Sequence, residues 1–182
     1  MCMRTNAGVN TVPAGPALYI AGEEHRMPNW IEGSLRLRGT ADNLERFFRE
    51  GFDAVSYFGE TRPNPVVVDM DEGYVTVRSE ETAWIKNTRR AFVNNLDLAF
   101  EIPEDPEEIR TVAIPVKQAW CFDTDNWKKI STTFHIDLRL YGFEQGQEFE
   151  QEIEIINGEV TVDHEIEYDD YVWESKMPIL GG

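Results

Sequence analysis

The sequence predicts an α+β domain, a largely antiparallel sheet with helices packed on one face. Three observations carry that prediction. Ile31, Gly33, Leu35 and Leu37 alternate with Glu32, Ser34, Arg36 and Arg38, the period of a half-buried strand. Leu44, Phe47 and Phe48 then recur at the spacing of one helix face. In the last third, alternating runs over 134–141, 149–156 and 159–168 follow one another, the last two joined by Asn157-Gly158. Asn-Gly between alternating runs is the strongest short-range hairpin signal. Helices to one side of such strands give a two-layer α+β arrangement.

The elements follow in order. Residues 1–26 show no sustained periodicity and read as a flexible tail, 27–170 as one domain, and 171–182 as a C-terminal tail. Gly39-Thr40 ends the first strand, Thr40 or Asp42 caps the helix, and Gly51 suits its end. Residues 52–64 read as a loop rich in turn formers. Val66–Met70 and Tyr74–Val77 form a hairpin around Asp71-Glu72-Gly73. The stretch Trp84–Val93 fits helix or strand. An acidic loop over 103–109 precedes a strand at Thr111–Val116, and Asp125 is placed to cap a short helix over 126–131. On its β–α–β–β opening, the expected version of the fold is ferredoxin-like.

Composition narrows the function. The 182 residues are 41% hydrophobic with five tryptophans, enough for a packed core. No stretch approaches the roughly 18 apolar residues a membrane helix needs. Residues 8–22 carry Pro13 and Pro16 behind a single Arg4, which does not make a secretory signal. Two cysteines, Cys2 and Cys121, make no disulfide framework, so a reduced, cytoplasmic compartment is expected. The net charge of −17 disfavours direct nucleic-acid binding and anionic membrane surfaces. A basic protein surface or a cation is the more natural partner, unless the charge serves solubility alone.

Met27-Pro28-Asn29-Trp30, followed by a strand, a glycine and a helix, resembles the opening of a family of phage and prophage proteins of unknown function with a ferredoxin-like domain. Ala119-Trp120, the run from Phe134 through Tyr141 and Gly146 to Phe149, and Asn157-Gly158-Glu159 resemble that family's C-terminal part. The likeness spans most of 27–162. This chain has Ile31 where the family often has cysteine, and it lacks the family's glycine-bearing step near Phe149. The resemblance implies a phage or mobile-element origin, a bacterial host and translation from Met27. It brings no reaction.

The charge is localised: residues 144–174 hold twelve Asp and Glu and no Lys or Arg, and 144–182 carry a net −11. A regular hairpin about Asn157-Gly158 would pair Ile155 with Val160 and Ile153 with Val162 on the apolar side. On the other side Glu154 would face Thr161, Glu152 Asp163, Glu150 Glu165 and Glu148 Glu167. Like charges directly opposite cost up to about 1 kcal/mol per pair. A solvated face that blocks edge-to-edge pairing explains this ladder. So does a surface docking on a basic patch of a host or phage protein, for instance as an inhibitor of host defence. Arg36, Arg38 and Arg139 are the available neutralising bases. A divalent-metal enzyme using these carboxylates is a second reading, although metals want converging oxygens. Lys86, Arg89 and Arg90 form the one basic cluster, which either answers nearby acids of the same fold or makes an anion site, the third reading being a nucleic-acid binder.

No cofactor or catalytic motif is present, so a non-enzymatic role is favoured. His135 and His164 fall on opposite strand parities, and His25 lies in the tail. Cys121 reads as a buried small hydrophobe. An exposed Trp84 or Trp173 would mark a binding hot spot.

Overall fold

A computed structural model describes residues 29–55 and 64–182. The expectations for the tail 1–26, for Met27-Pro28 and for most of the loop 52–64 lie outside the described residues. The elements are β1 (Trp30–Thr40), α1 (Ala41–Glu50), β2 (Phe52–Ala54), β3 (Val67–Asp71), β4 (Tyr74–Ser79), β5 (Ala83–Ile85) and β6 (Ala91–Val93). Then come β7 (Leu96–Glu101), β8 (Ile109–Ala119), α2 (Thr124–Phe134), β9 (Asp137–Glu144), β10 (Phe149–Ile156), β11 (Glu159–Glu167) and α3 (Tyr171–Glu174).

This is an α+β architecture with few helices and antiparallel sheets. One eight-stranded sheet runs β11-β10-β9-β1-β8-β6-β5-β2, and a three-stranded sheet runs β3-β4-β7. Strands β8 and β9 both lie antiparallel to β1, so they are parallel to each other across it, connected by α2.

Helix α1 starts where Thr40, in extended conformation, accepts a hydrogen bond from the Asn43 amide. Leu44, Phe47 and Phe48 are fully buried. Phe47 stands edge-on to Phe52 at 5.2 Å and to Phe134 of α2 at 5.3 Å, which ties the two helices together. The second helix is longer than the sequence suggests: Asp123, not Asp125, is its cap, accepting from Asn126. It runs through Phe134 and stops at His135, which takes a left-handed conformation (φ 54°). Phe134 and His135 therefore close a helix and do not open a strand, since the reversal at His135 separates them from Ile136.

The hairpin at 66–77 is present as β3–β4, with Glu72 and Gly73 at positive φ (43° and 87°). The ambiguous stretch Trp84–Val93 resolves into β5 and β6, paired antiparallel. Two strands were not anticipated: β2, inside the expected loop, and β7, which pairs with β4.

Leu35, Leu37, Ile114, Leu138, Leu140, Ile153 and Ile155 fill the helix-covered face of the long sheet and are all buried. At Gly33 the backbone of β9 comes so near that a Cβ would stand 2.0 Å from the Tyr141 carbonyl oxygen. The segment 171–182 folds back over the opposite, open face. Tyr171 is buried and its hydroxyl donates to the Leu180 carbonyl (2.9 Å), while the Gly182 amide donates to Trp30 (3.1 Å). Among the described residues no helix is long and apolar enough to cross a membrane.

Candidate functional site

The acidic hairpin is built as expected at its turn and differently beyond it. Ile156 pairs with Glu159 and Ile155 with Val160. The register then shifts: Glu154 pairs with Val162, leaving Thr161 as an extra residue. Such a bulge moves every later side chain of its strand to the other face. Glu152 therefore faces His164 in place of Asp163, Glu150 faces Ile166 in place of Glu165, and Ile153 faces Asp163 in place of Val162. Glu167 faces Phe149, not Glu148. The like-charge ladder does not exist.

The seven acids are consequently not one surface. Glu150, Glu152 and Glu154 lie on the open face, whereas Asp163, Glu165 and Glu167 pair with residues of the helix-covered face. Most are engaged within the chain. Arg139 donates to Glu152 (2.9 Å), and the Thr161 hydroxyl donates to Glu154 (2.8 Å). Thr124 donates to Asp163 (3.0 Å), and neither Glu165 nor Glu167 is without a partner. Glu148 is exposed, with φ 58°. Of the neutralising bases expected, Arg139 serves Glu152 and Arg38 binds Asp137 (2.9 and 2.6 Å); Arg36 sits opposite Arg139, exposed.

Glu150 is the surprise, at only 3% exposure. Tyr141 donates to its carboxylate (2.8 Å), Tyr168 lies close enough to feel its charge, and Lys176 of the folded-back segment lies 3.5 Å away. A buried carboxylate needs such compensation. Burial raises the Tyr141 and Tyr168 phenols above their usual 10.0, and the neighbouring Glu150 charge raises them further. Tyr171 is raised as well, again first by burial. Burial also pushes up the Glu144 carboxyl, which is wholly enclosed and accepts from the amides of Gly146 and Gln147 (2.8 and 2.7 Å).

These phenols set an alkaline limit. Their folded pKa values exceed the unfolded value of 10.0, so the folded chain holds protons that the unfolded chain has released. Their contribution to stability is complete below pH 10 and declines as pH rises through the folded values. Denaturation midpoints are expected to fall above pH 10, with Tyr141, Tyr168 and Tyr171 ionising as the chain unfolds. Absorbance titration of the phenolates in folded chain, against the same titration in denaturant, checks this.

The basic cluster is divided too. Lys86 pairs with Asp53 (3.3 Å), Arg90 lies over the Trp30 ring (5.4 Å), and Arg89 is exposed. His135 and His164 are exposed on different elements, His164 on the open face because of the bulge. Cys121 is buried as expected. Among the described residues no three His, Cys, Asp or Glu converge to hold a metal ion.

Two features stand out that the sequence did not locate. One is the turn of α3. Its cap Asp170 accepts from the Trp173 amide (3.2 Å), Glu174 accepts from Asp169 (3.2 Å), and buried Tyr171 anchors it. Val172 and Trp173 project outward, 70% and 86% exposed. Trp84, the other tryptophan singled out, is half-buried. The other feature is a groove of about 480 Å³ on the open face. Its floor comes from β1, β8 and β9, with Ser34, Lys117 and Tyr141, and its walls are Phe92 on one side and Met177 and Leu180 on the other. No local pattern signals it, because its walls lie about eighty residues apart in sequence.

Comparison of the chain with protein-family models, with curated proteins and with solved structures gave no match.

Proposed function

We propose that this chain is an interaction protein, not an enzyme, of phage or mobile-element origin and acting in the cytoplasm of a bacterial host. Its acidic C-terminal third binds a basic surface of a host or phage protein. The observation that carries this reading is Trp173, held 86% exposed among Asp169, Asp170 and Glu174. A large apolar side chain in water is costly. Tryptophan is also the residue that most often dominates binding energy when a partner covers it. Because the capped turn already fixes its backbone, less ordering remains to be done on binding. The acids around it, in a region of net −11, speed encounter with a basic partner and reject acidic ones.

The docking surface is thus centred on α3, with Glu148 near its rim, and not on the hairpin ladder. An inhibitor of a host defence protein is one form such a partner relation takes. We read the core as an elaborated ferredoxin-like fold. Two split crossovers with helices on one face, β1–α1–β2 and β8–α2–β9, support that reading, with β5 and β6 standing between β8 and β2.

The test is binding by the double variant Val172→Ser, Trp173→Ser. Both side chains are solvent-facing, so melting is expected to change little, while affinity for a captured basic partner falls at least about thirtyfold, or 2 kcal/mol. Undiminished affinity would contradict the assignment.

A further inference from the structure

We infer that the open-face groove is a binding site for a small molecule with an anionic head and an apolar body, the head held by Lys117 and Arg90. Lys117 lines the groove, and its ammonium lies 5.4 Å from the centre of the Trp30 ring. The Arg90 guanidinium lies over the same ring, also at 5.4 Å, and Phe92 packs against that ring at 5.8 Å. The aromatic ring holds both cations without neutralising them, and of the two it is Lys117 that lines the groove.

Their lack of counter-ions among the described residues is what points to a ligand. In a chain of net −17, bases such as Arg38, Arg49, Arg110, Lys128 and Arg139 all pair with carboxylates. Among the described residues neither Lys117 nor Arg90 has a carboxylate within 4.0 Å, even though Glu32 is the direct cross-strand neighbour of Lys117. Two cations gathered on one aromatic ring, one of them lining an open cavity, suit a carboxylate, sulfonate or phosphate.

The rest of the groove suits an apolar body. Phe92, Phe143, Met177 and Leu180 offer apolar walls, and Ser34, Asn94 and Tyr141 offer a few polar groups for orientation. A volume of about 480 Å³ lies in the range of small-ligand sites, roughly 300–1,000 Å³. Glu32 also lines the groove and opposes an anion, so its neutralisation should tighten binding.

Anilinonaphthalene sulfonate is the probe, having an anionic head, an aromatic body and fluorescence that rises on burial. Elsewhere on so acidic a chain it is repelled. Titrated with the full chain at low salt, it is expected to bind saturably at one site. Lys117→Met and Arg90→Met should each weaken it about tenfold, Glu32→Gln should tighten it, and Lys117→Arg should retain it. Arg78→Met, on the three-stranded sheet, should leave it unchanged. Absence of saturable binding to the parent chain overturns the inference. So does parent-like affinity in Lys117→Met and Arg90→Met, or loss in Lys117→Arg while that variant melts like the parent.

Discussion

Replacing Glu150 by lysine is expected to destabilise the fold by about 3–5 kcal/mol, more than any other single charge change in the hairpin. At 3% exposure Glu150 accepts from Tyr141, lies near Tyr168 and faces Lys176. Lysine there would leave the Tyr141 phenol without its acceptor and bury a cation beneath the Lys176 ammonium. Each donor stranded in this way costs about 1–3 kcal/mol. Glu152→Lys makes the contrast. Its side chain is 26% exposed and its partner Arg139 is 49% exposed, so losing the pair should cost only about 1 kcal/mol. Denaturant melts of the two variants separate them. Equal stabilities would mean that Glu150 lies on the surface, uncovered by the C-terminal segment.

Gly33→Ala is expected to cost at least about 3 kcal/mol, for a different reason. A Cβ there would meet the Tyr141 carbonyl oxygen at 2.0 Å and the Gly142 Cα at 2.6 Å. Both are backbone atoms of the neighbouring strand, so no side chain can rotate away. Strand β1 lies between β8 and β9 from Glu32 to Arg38, so a displacement at Gly33 would disturb both ladders. Gly73→Ala is the control. Nothing lies within 4 Å of its added Cβ, but its φ of +87° disfavours alanine, a cost of about 1–2 kcal/mol. Thermal melts of the two should rank Gly33→Ala well below Gly73→Ala.

What could be read from the sequence is what local chemistry determines. Thr40 and Gly51 bound α1, Asn157-Gly158 closes β10–β11, and the alternation from Ile31 to Leu37 builds β1; each signal lies inside its own segment. The bulge at Thr161 has no such signal. Val160, Thr161 and Val162 are all strand formers, and parity continues through them unbroken. One extra residue nevertheless converts a supposed ladder of carboxylates into acids divided between two faces. The cap of α2 was misplaced because Asp123 and Asp125 carry the same side chain, and tertiary packing of Trp127, Ile130 and Phe134 selects between them. Strand β7 does alternate Leu96, Leu98 and Phe100, but its partner β4 lies about twenty residues upstream, so no hairpin signal announces the pairing. The groove and the exposure of Trp173 depend on where the C-terminal segment lies. That is set by contacts of Tyr171, Lys176 and Gly182 with distant strands.

The most direct test of the interaction assignment is a pull-down from bacterial lysate with the parent chain and the Val172→Ser, Trp173→Ser variant side by side, at low and high salt. The account predicts that the parent retains a basic protein at low salt, that high salt weakens retention, and that the variant loses it. An identical set of proteins on both chains, or retention indifferent to salt, would contradict it.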